Sequence, residues 1–164
     1  RRHAEWICGG TKEREEGIRR VVRQGIAKTV WKGRMEILTE KPFLLVDGAH
    51  NSNGVEALKE SLVSLFPGEK FHFIMGVMAD KDYEKMIGEL LPLAIDFTTC
   101  TVECERALQA DTLASCIRRK GIAAVSADDF VSCFQRGKLD ETQRTVAFGS
   151  LYFIGEIEAL FEAE

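Results

Sequence analysis

The 164-residue sequence lacks the features that mark several large classes of protein. It has no apolar run near the roughly 20 residues that a membrane span requires. Its first ten residues, RRHAEWICGG, contain no apolar core of signal-peptide length. The formal net charge is -4, and no stripe of Lys and Arg with interleaved aromatic residues occurs. These absences favour a globular protein that binds neither membranes nor nucleic acids.

Cysteine is present but is not arranged in close pairs. There are five cysteines and no CxxC motif, which argues against a disulfide framework. Cys100 and Cys104 could be metal ligands, but no histidine or second cysteine pair lies near them. Cys116 and Cys133 fall in predicted helices and are expected to be small buried apolar residues. We therefore predict structural thiols, no metal ligands, and a reducing cytoplasm as the compartment.

From Trp31 onward, short apolar segments alternate with segments of helical periodicity. Strands are predicted at 43–46, 71–77, 97–102, 123–125 and 145–148, and helices at 55–65, 83–91, 112–120, 128–135 and 151–161. This alternation predicts an α/β, Rossmann-like fold: a mostly parallel sheet with helices on both faces. Residues 1–30, with a predicted helix at 11–27, are interpreted as the end of a preceding domain and a connector helix.

The loops that follow the predicted strands are the expected binding loops. In open parallel sheets, ligands bind at the carboxyl ends of the strands, near the point where the strand order reverses. Those loops are 47–54, 78–82 and 149–150, and none of them contains GxGxxG or GxxxxGK[ST]. The sequence therefore offers neither a dinucleotide fingerprint nor a phosphate loop.

Four polar residues surround the first of these loops. Asp47 ends a strand, where a carboxylate can accept hydrogen bonds from a ribose or can cap the following turn. His50 and Asn51 follow within four residues, and the cluster leaves the two interpretations equally supported. Arg34 offers a planar guanidinium suited to phosphate or carboxylate oxygens, although a lone exposed arginine is more often simply solvated.

Lys81 and Ser150 are the candidates in the other two loops. Lys81 could offer a cation to an anionic substrate, but it is also an ordinary surface charge between two aspartates that can cap a helix. Ser150 precedes a helix, where it could bind an anion or act as the helix cap. For both residues the simpler structural interpretation is favoured. A serine hydrolase is rejected because GxSxG is absent.

Four segments, taken in order, resemble the folylpolyglutamate synthase/dihydrofolate synthase family of the Mur ligase superfamily. They are WKGRME (31–36), LLVDGAHN (44–51), GVMADKD (76–82) and FGSLYFIGE (148–156). The resemblance covers Trp31 to about Phe161 and implies that residues 31–164 are a Mur-ligase-type C-terminal Rossmann-like domain. The sequence departs from the family at Lys32 and Ser52, where proline is usual, so the rigidity of two turns is in question.

The resemblance implies an ATP-dependent ligase that joins L-glutamate to folate or dihydropteroate through an acyl-phosphate intermediate. ATP and Mg²⁺ are then required, and the family's phosphate loop and Mg²⁺ ligands lie in an N-terminal ATPase domain of the same chain. No metal ligand is therefore assigned to residues 1–164, and the isolated domain is expected to be inactive. Two alternatives stay open: the C-terminal domain of a peptidoglycan-precursor Mur ligase, and a non-catalytic Rossmann-like binding module.

The resemblance also implies roles for single residues. Arg34 resembles the catalytic arginine that reaches the ATP phosphates, and Asp47 resembles the carboxylate that binds the ribose. His50 and Asn51 belong to the same ATP-binding loop. Lys81 and Ser150 resemble positions that hold the incoming glutamate.

Overall fold

The computed structural model of the chain describes residues 31–127, 129–134 and 139–162. The described elements belong to one compact unit, Gly33–Glu164. Its strands are β1 (Glu36–Glu40), β2 (Phe43–Asp47), β3 (Phe71–Met75), β4 (Ala94–Thr99), β5 (Ala124–Ser126) and β6 (Arg144–Phe148). Its α-helices are α1 (Ser52–Leu65), α2 (Tyr83–Leu90), α3 (Ala110–Arg119) and α4 (Leu151–Glu162). The predicted helix at 11–27 lies outside the described residues.

The six strands form one sheet in the order β1-β2-β6-β3-β4-β5. Every neighbouring pair is parallel except β1 and β2, which are antiparallel at one edge. The last strand in sequence, β6, is inserted between β2 and β3, so the strand order reverses there. In the register, Phe148 is aligned with both Asp47 of β2 and Met75 of β3. The loops after these three strands therefore leave the sheet side by side.

Helices cover both faces of the sheet, as predicted. Alternate side chains of β3 point to opposite faces: Phe71, Phe73 and Met75 belong to a larger apolar cluster, whereas Ile74 belongs to a smaller one. The larger cluster contains the buried residues of α1 and α2 and, except for Ala110, those of α3, and the smaller one contains those of α4. No helix in the described ranges combines the length and apolar character that crossing a bilayer requires.

Several predicted elements differ from the structure at their bounds, and one predicted helix is absent. Strand β3 ends at Met75 rather than at residue 77. Strand β4 spans Ala94–Thr99 rather than residues 97–102, and it begins early because a single 3-10 turn containing Pro92 (Leu91–Leu93) delivers the chain directly to the sheet. The helix predicted at 128–135 is wrong within the described residues 129–134. They contain only the 3-10 turn Val131–Cys133, whose hydrogen bonds span three residues, as in Cys133 N–H to Phe130 O at 3.2 Å.

The carboxylate of Glu156 on α4 is only partly satisfied by hydrogen bonds. Its Oε1 accepts a hydrogen bond from Glu103 N–H at 3.2 Å. Its Oε2 is shielded from water, although the residue as a whole is half-buried, and among the described residues it has no hydrogen-bond partner. Burial raises the pKa of Glu156 above its ordinary value of 4.5, against a smaller opposing effect of the Glu103 amide.

We predict that Glu156→Gln raises the free energy of unfolding at about pH 7 by roughly 1 kcal/mol, the low end for an unsatisfied buried polar atom, because the residue is partly solvated. A carboxyl whose pKa is higher in the folded protein destabilises the fold when charged. The difference should therefore shrink as the pH falls towards about 4. Urea denaturation at both pH values measures it, and an equal difference at both would contradict the assignment.

Candidate functional site

The carboxylate of Asp47 connects two segments at the end of β2. Asp47 is 6% exposed. Its Oδ1 accepts a hydrogen bond from Ala49 N–H at 2.8 Å, and its Oδ2 accepts one from Met35 N–H at 2.9 Å. The first bond closes the turn after the strand, and the second fixes the segment before β1 against that turn. Because a carboxylate has about four acceptor positions, each oxygen retains capacity for one more donor.

The turn at residues 33–35 has a left-handed backbone at two positions. Gly33 has φ +67°, which glycine adopts readily, and Met35 has φ +46°, which is unusual for a residue with a side chain. Gly33 O accepts a hydrogen bond from Gly48 N–H at 2.7 Å, and Gly33 N–H donates to Glu36 Oε2 at 2.7 Å. These bonds, with the one from Met35 to Asp47, hold the strained turn in place.

This turn places the side chain of Arg34 over the backbone of Gly48. A Cβ atom built on Gly48 would lie 2.7 Å from Arg34 Nη1 and 2.3 Å from Leu151 Cδ2, so a side chain there would displace the ends of these two side chains. Arg34 itself is half-buried. No carboxylate in the described ranges forms an ion pair with it. The guanidinium therefore lies beside the Asp-Gly-Ala-His-Asn loop without an ion pair in the part of the chain that the structure describes.

His50 and Asn51 each use one polar atom to shape that loop. Nδ1 of His50 lies 2.8 Å from Gly48 O; since a carbonyl can only accept, Nδ1 carries the proton and Nε2 is the remaining polar atom of the ring. Asn51 is the N-cap of α1, and its Oδ1 accepts a hydrogen bond from Gly54 N–H at 2.8 Å. The amide nitrogen of Asn51 is not used in this cap.

Gly149 and Ser150 bring β6 into close contact with the loop after β3. Gly149 has φ +123°, and a Cβ atom there would lie 2.4 Å from Gly76 O. Ser150 is 3% exposed, and its Oγ accepts a hydrogen bond from Tyr152 N–H at 3.2 Å at the start of α4. The capping role expected for Ser150 is therefore present. Its hydroxyl proton is not used in that bond.

Lys81 lies in the loop after β3, at the same edge of the sheet. Its Nζ is 3.2 Å from Asp80 Oδ2, and this hydrogen bond lowers the pKa of Asp80. The loop is held by a segment that the sequence did not single out: Ala79 N–H donates to Arg106 O at 2.8 Å, and Leu108 N–H donates to Val77 O at 2.9 Å. The polar contacts of Lys81 are thus local.

The six predicted site residues therefore fall at one edge of the sheet, but only some are in contact. Arg34, Asp47, His50 and Asn51 form one group around Gly48. Ser150 begins α4 next to Leu151, which also packs at Gly48. Within the described residues, no group of three or more His, Cys, Asp or Glu side chains could hold a metal ion, so we assign no metal ligand among them.

A family model described as the glutamate ligase domain of Mur ligases matches residues 33–150. The chain belongs to this family. The match includes all six predicted site residues, from Arg34 to Ser150.

Individual folylpolyglutamate synthases and dihydrofolate synthases are similar to this chain over most of its length. The dihydrofolate synthase/folylpolyglutamate synthase of Bacillus subtilis is 33% identical over 157 residues, which are 94% of this chain and 35% of that protein. Mycobacterium tuberculosis folylpolyglutamate synthase, crystallised with ADP and AMPPCP, aligns with a TM-score of 0.72 at 27% identity, covering 87% of this chain and 35% of that one.

The fold itself is also found at lower identity. E. coli FolC, in complex with DHPP and ADP, aligns with a TM-score of 0.77 at 21% identity over 88% of this chain and 34% of that one. The Mur ligase C-terminal fold predicted from the sequence is therefore confirmed. The chain spans about a third of the length of the relatives it matches.

We predict that Gly149→Ala lowers the free energy of unfolding by at least roughly 2 kcal/mol, because an alanine at this positive φ is strained and its Cβ would meet the Gly76 carbonyl. The matched control is Gly155→Ala on α4, where a Cβ would have nothing within 4 Å. That variant should gain about 0.5–1 kcal/mol from helix propensity. Denaturant titration compares the two; equal effects would contradict the proposed close approach.

Proposed function

We propose that this chain is part of an ATP-dependent ligase that joins L-glutamate to a folate or dihydropteroate. The observation that carries the proposal is the position of Arg34, held over Gly48 beside the Asp47 carboxylate at the point where the strand order reverses. Ligands bind at such points in open α/β sheets. The folate activity is taken from the B. subtilis relative, which is 33% identical.

Arg34 and Asp47 are proposed to face the nucleotide. A guanidinium that forms no ion pair within the described residues can bind phosphate oxygens through paired, charge-assisted hydrogen bonds. Such a cation stabilises the charge that develops on the phosphoryl group during its transfer. The transfer converts the folate carboxylate into an acyl phosphate and so activates it. Asp47 uses its second acceptor positions for the ribose hydroxyls. Nε2 of His50 and the amide nitrogen of Asn51 complete this side of the site.

Lys81 and Ser150 are proposed to hold the incoming glutamate. They follow β3 and β6, which are neighbours in the sheet. Glutamate carries two carboxylates, and a lysine ammonium next to a helix start offers them a cation and backbone N–H groups. On this proposal, Lys81 exchanges its contact with Asp80 for the substrate carboxylate.

We propose that the remaining parts of the catalytic site lie in the full-length protein, outside residues 1–164. Its relatives are about three times as long, and the phosphate loop and Mg²⁺ ligands are expected in their N-terminal ATPase domain. Mg²⁺ held there would offset the negative charge of the ATP phosphates. We infer that this domain closes over the nucleotide, so that Arg34 completes the site only in the closed form. A cytoplasmic location is proposed because the described cysteines are free thiols.

We predict that Arg34→Ala in the full-length protein lowers kcat/KM for glutamate ligation on the order of 100-fold or more. Arg34→Lys should also be impaired, because lysine keeps the charge but loses the planar fork. ADP release that depends on both folate and glutamate measures the reaction. A folding check by thermal denaturation accompanies each variant.

The matched control is Arg119→Ala. Arg119 is an exposed arginine in the last turn of α3, at the opposite edge of the sheet from the candidate site. Its loss should leave kcat/KM unchanged. Full turnover of a folded Arg34→Ala variant would overturn the assignment. Binding of ATP without any glutamate ligation by the unmodified full-length protein would instead favour a binding module.

A further inference from the structure

Cys100 and Cys133 form a thiol pair that the proposed ligase reaction does not use. Their Sγ atoms lie 2.9 Å apart, although the residues are 33 positions apart in sequence. Cys100 directly follows β4, and Cys133 ends the 3-10 turn Val131–Cys133. Both side chains belong to the smaller apolar cluster, under α4.

The backbone and neighbouring rings hold this pair in place from both sides. Cys100 N–H donates to Met75 O at 3.0 Å, which continues the pairing of β4 with β3. On the other side, the rings of Phe130 and Phe134 pack against Phe153 of α4, with centroids 5.7 and 6.1 Å away. A covalent disulfide is about 2.05 Å long, so bond formation requires only a small movement of the two side chains.

A small molecule can reach one of the two sulfur atoms more easily than the other. Cys100 is 1% exposed and Cys133 is 9% exposed. Cys133 and Ser132 also line a cavity of about 420 Å³ on this face of the sheet, with His72, Thr98 and Thr145 on its floor. A reagent in this cavity meets the thiol of Cys133 first.

The two thiols are also coupled through the hydrogen bond between their sulfur atoms, in which either sulfur can be the donor. This hydrogen bond, with burial adding to it, raises the pKa of the more buried Cys100. The thiolate is the nucleophile, so the more exposed Cys133 is expected to react first.

We infer that Cys100 and Cys133 are a reversible redox pair that a hydroperoxide converts into a disulfide. The Cys133 thiolate attacks one peroxide oxygen, the O–O bond breaks, and the departing oxygen takes up a proton and leaves as an alcohol or water. Cys100 sulfur then displaces hydroxide from the Cys133 sulfenic acid, and the Cys100 proton leaves with it as water. Two thiols are oxidised and one peroxide is reduced; a dithiol reductant reverses the change.

The disulfide would add a covalent link between two segments that packing and hydrogen bonds now hold together. It links the carboxyl end of β4 to the connection between β5 and β6. The segment that starts at Cys100 continues to Arg106 and Leu108, which hold the Lys81 loop. The oxidised form should therefore resist thermal unfolding better than the reduced form, because a covalent link restricts the unfolded chain.

The experiment treats the folded, full-length protein with hydrogen peroxide, blocks the remaining thiols with an alkylating reagent, and maps the peptides without reduction. The expected result is a crosslinked peptide pair containing Cys100 and Cys133, lighter by two hydrogen atoms than the reduced pair. Dithiothreitol should remove it. The same treatment in denaturant should give less of this specific crosslink, because the sulfur atoms are no longer held together.

Three variants separate this pair from other thiols. Cys104→Ser is the matched control: it removes a half-buried thiol four residues from Cys100 and should leave the crosslink unchanged. Cys100→Ser and Cys133→Ser should each abolish it, and in the folded Cys100→Ser variant Cys133 should remain as a sulfenic acid that a dimedone probe traps. A folded wild-type protein whose two thiols are both alkylated after peroxide, or a crosslink that depends on Cys104, would overturn the inference.

Discussion

The candidate site depends on how the Asp47 carboxylate is compensated. A nearly buried carboxylate is costly unless hydrogen bonds satisfy it, and here two backbone N–H groups do so, one from each side. The bond to Met35 N–H stabilises a left-handed residue, and that turn is what carries Arg34 over Gly48. Without the carboxylate, the turn would keep only its hydrogen bonds to Gly48 and Glu36, and the guanidinium would be held less firmly. The carboxylate of Asp47, at the end of β2, thus helps to fix the guanidinium of Arg34, thirteen residues earlier in the sequence.

Close backbone packing at the strand reversal is the second constraint. Inserting β6 between β2 and β3 brings three loops out at one edge, and there is little space between them. Gly149 lies against the Gly76 carbonyl, and Gly48 lies under Arg34 and Leu151. A side chain at Gly149 would push the backbone of two loops apart, and one at Gly48 would displace Arg34 and Leu151. The absence of a side chain at Gly149 and Gly48 therefore allows the polar residues of the site to lie where they do.

Much of the fold could be predicted from the sequence, because alternation in strands such as β3 and helical spacing in α1 are local patterns. The family motifs also located the candidate residues correctly at one edge. The features that the sequence did not predict depend on contacts between residues that are distant in sequence. They are the left-handed backbone of Met35, the support of the Lys81 loop by Arg106, and the approach of Cys133 to Cys100. The helix expected at 128–135 is replaced, within the described residues 129–134, by the 3-10 turn Val131–Cys133, and local periodicity does not distinguish the two.

For Asp47, His50, Asn51 and Ser150, a structural role and a ligand-binding role are compatible. His50 and Asn51 each use one polar atom in a local bond that shapes the backbone, and each has another that is not so used. Both oxygens of Asp47 and the single Oγ of Ser150 accept such a bond, and these atoms keep further hydrogen-bonding capacity. The local bonds fix the rotamers, which lowers the entropy that a ligand must overcome. A cap or turn closure is then the means by which a side chain is held ready. On this argument, the structural bonds favour the proposed nucleotide role.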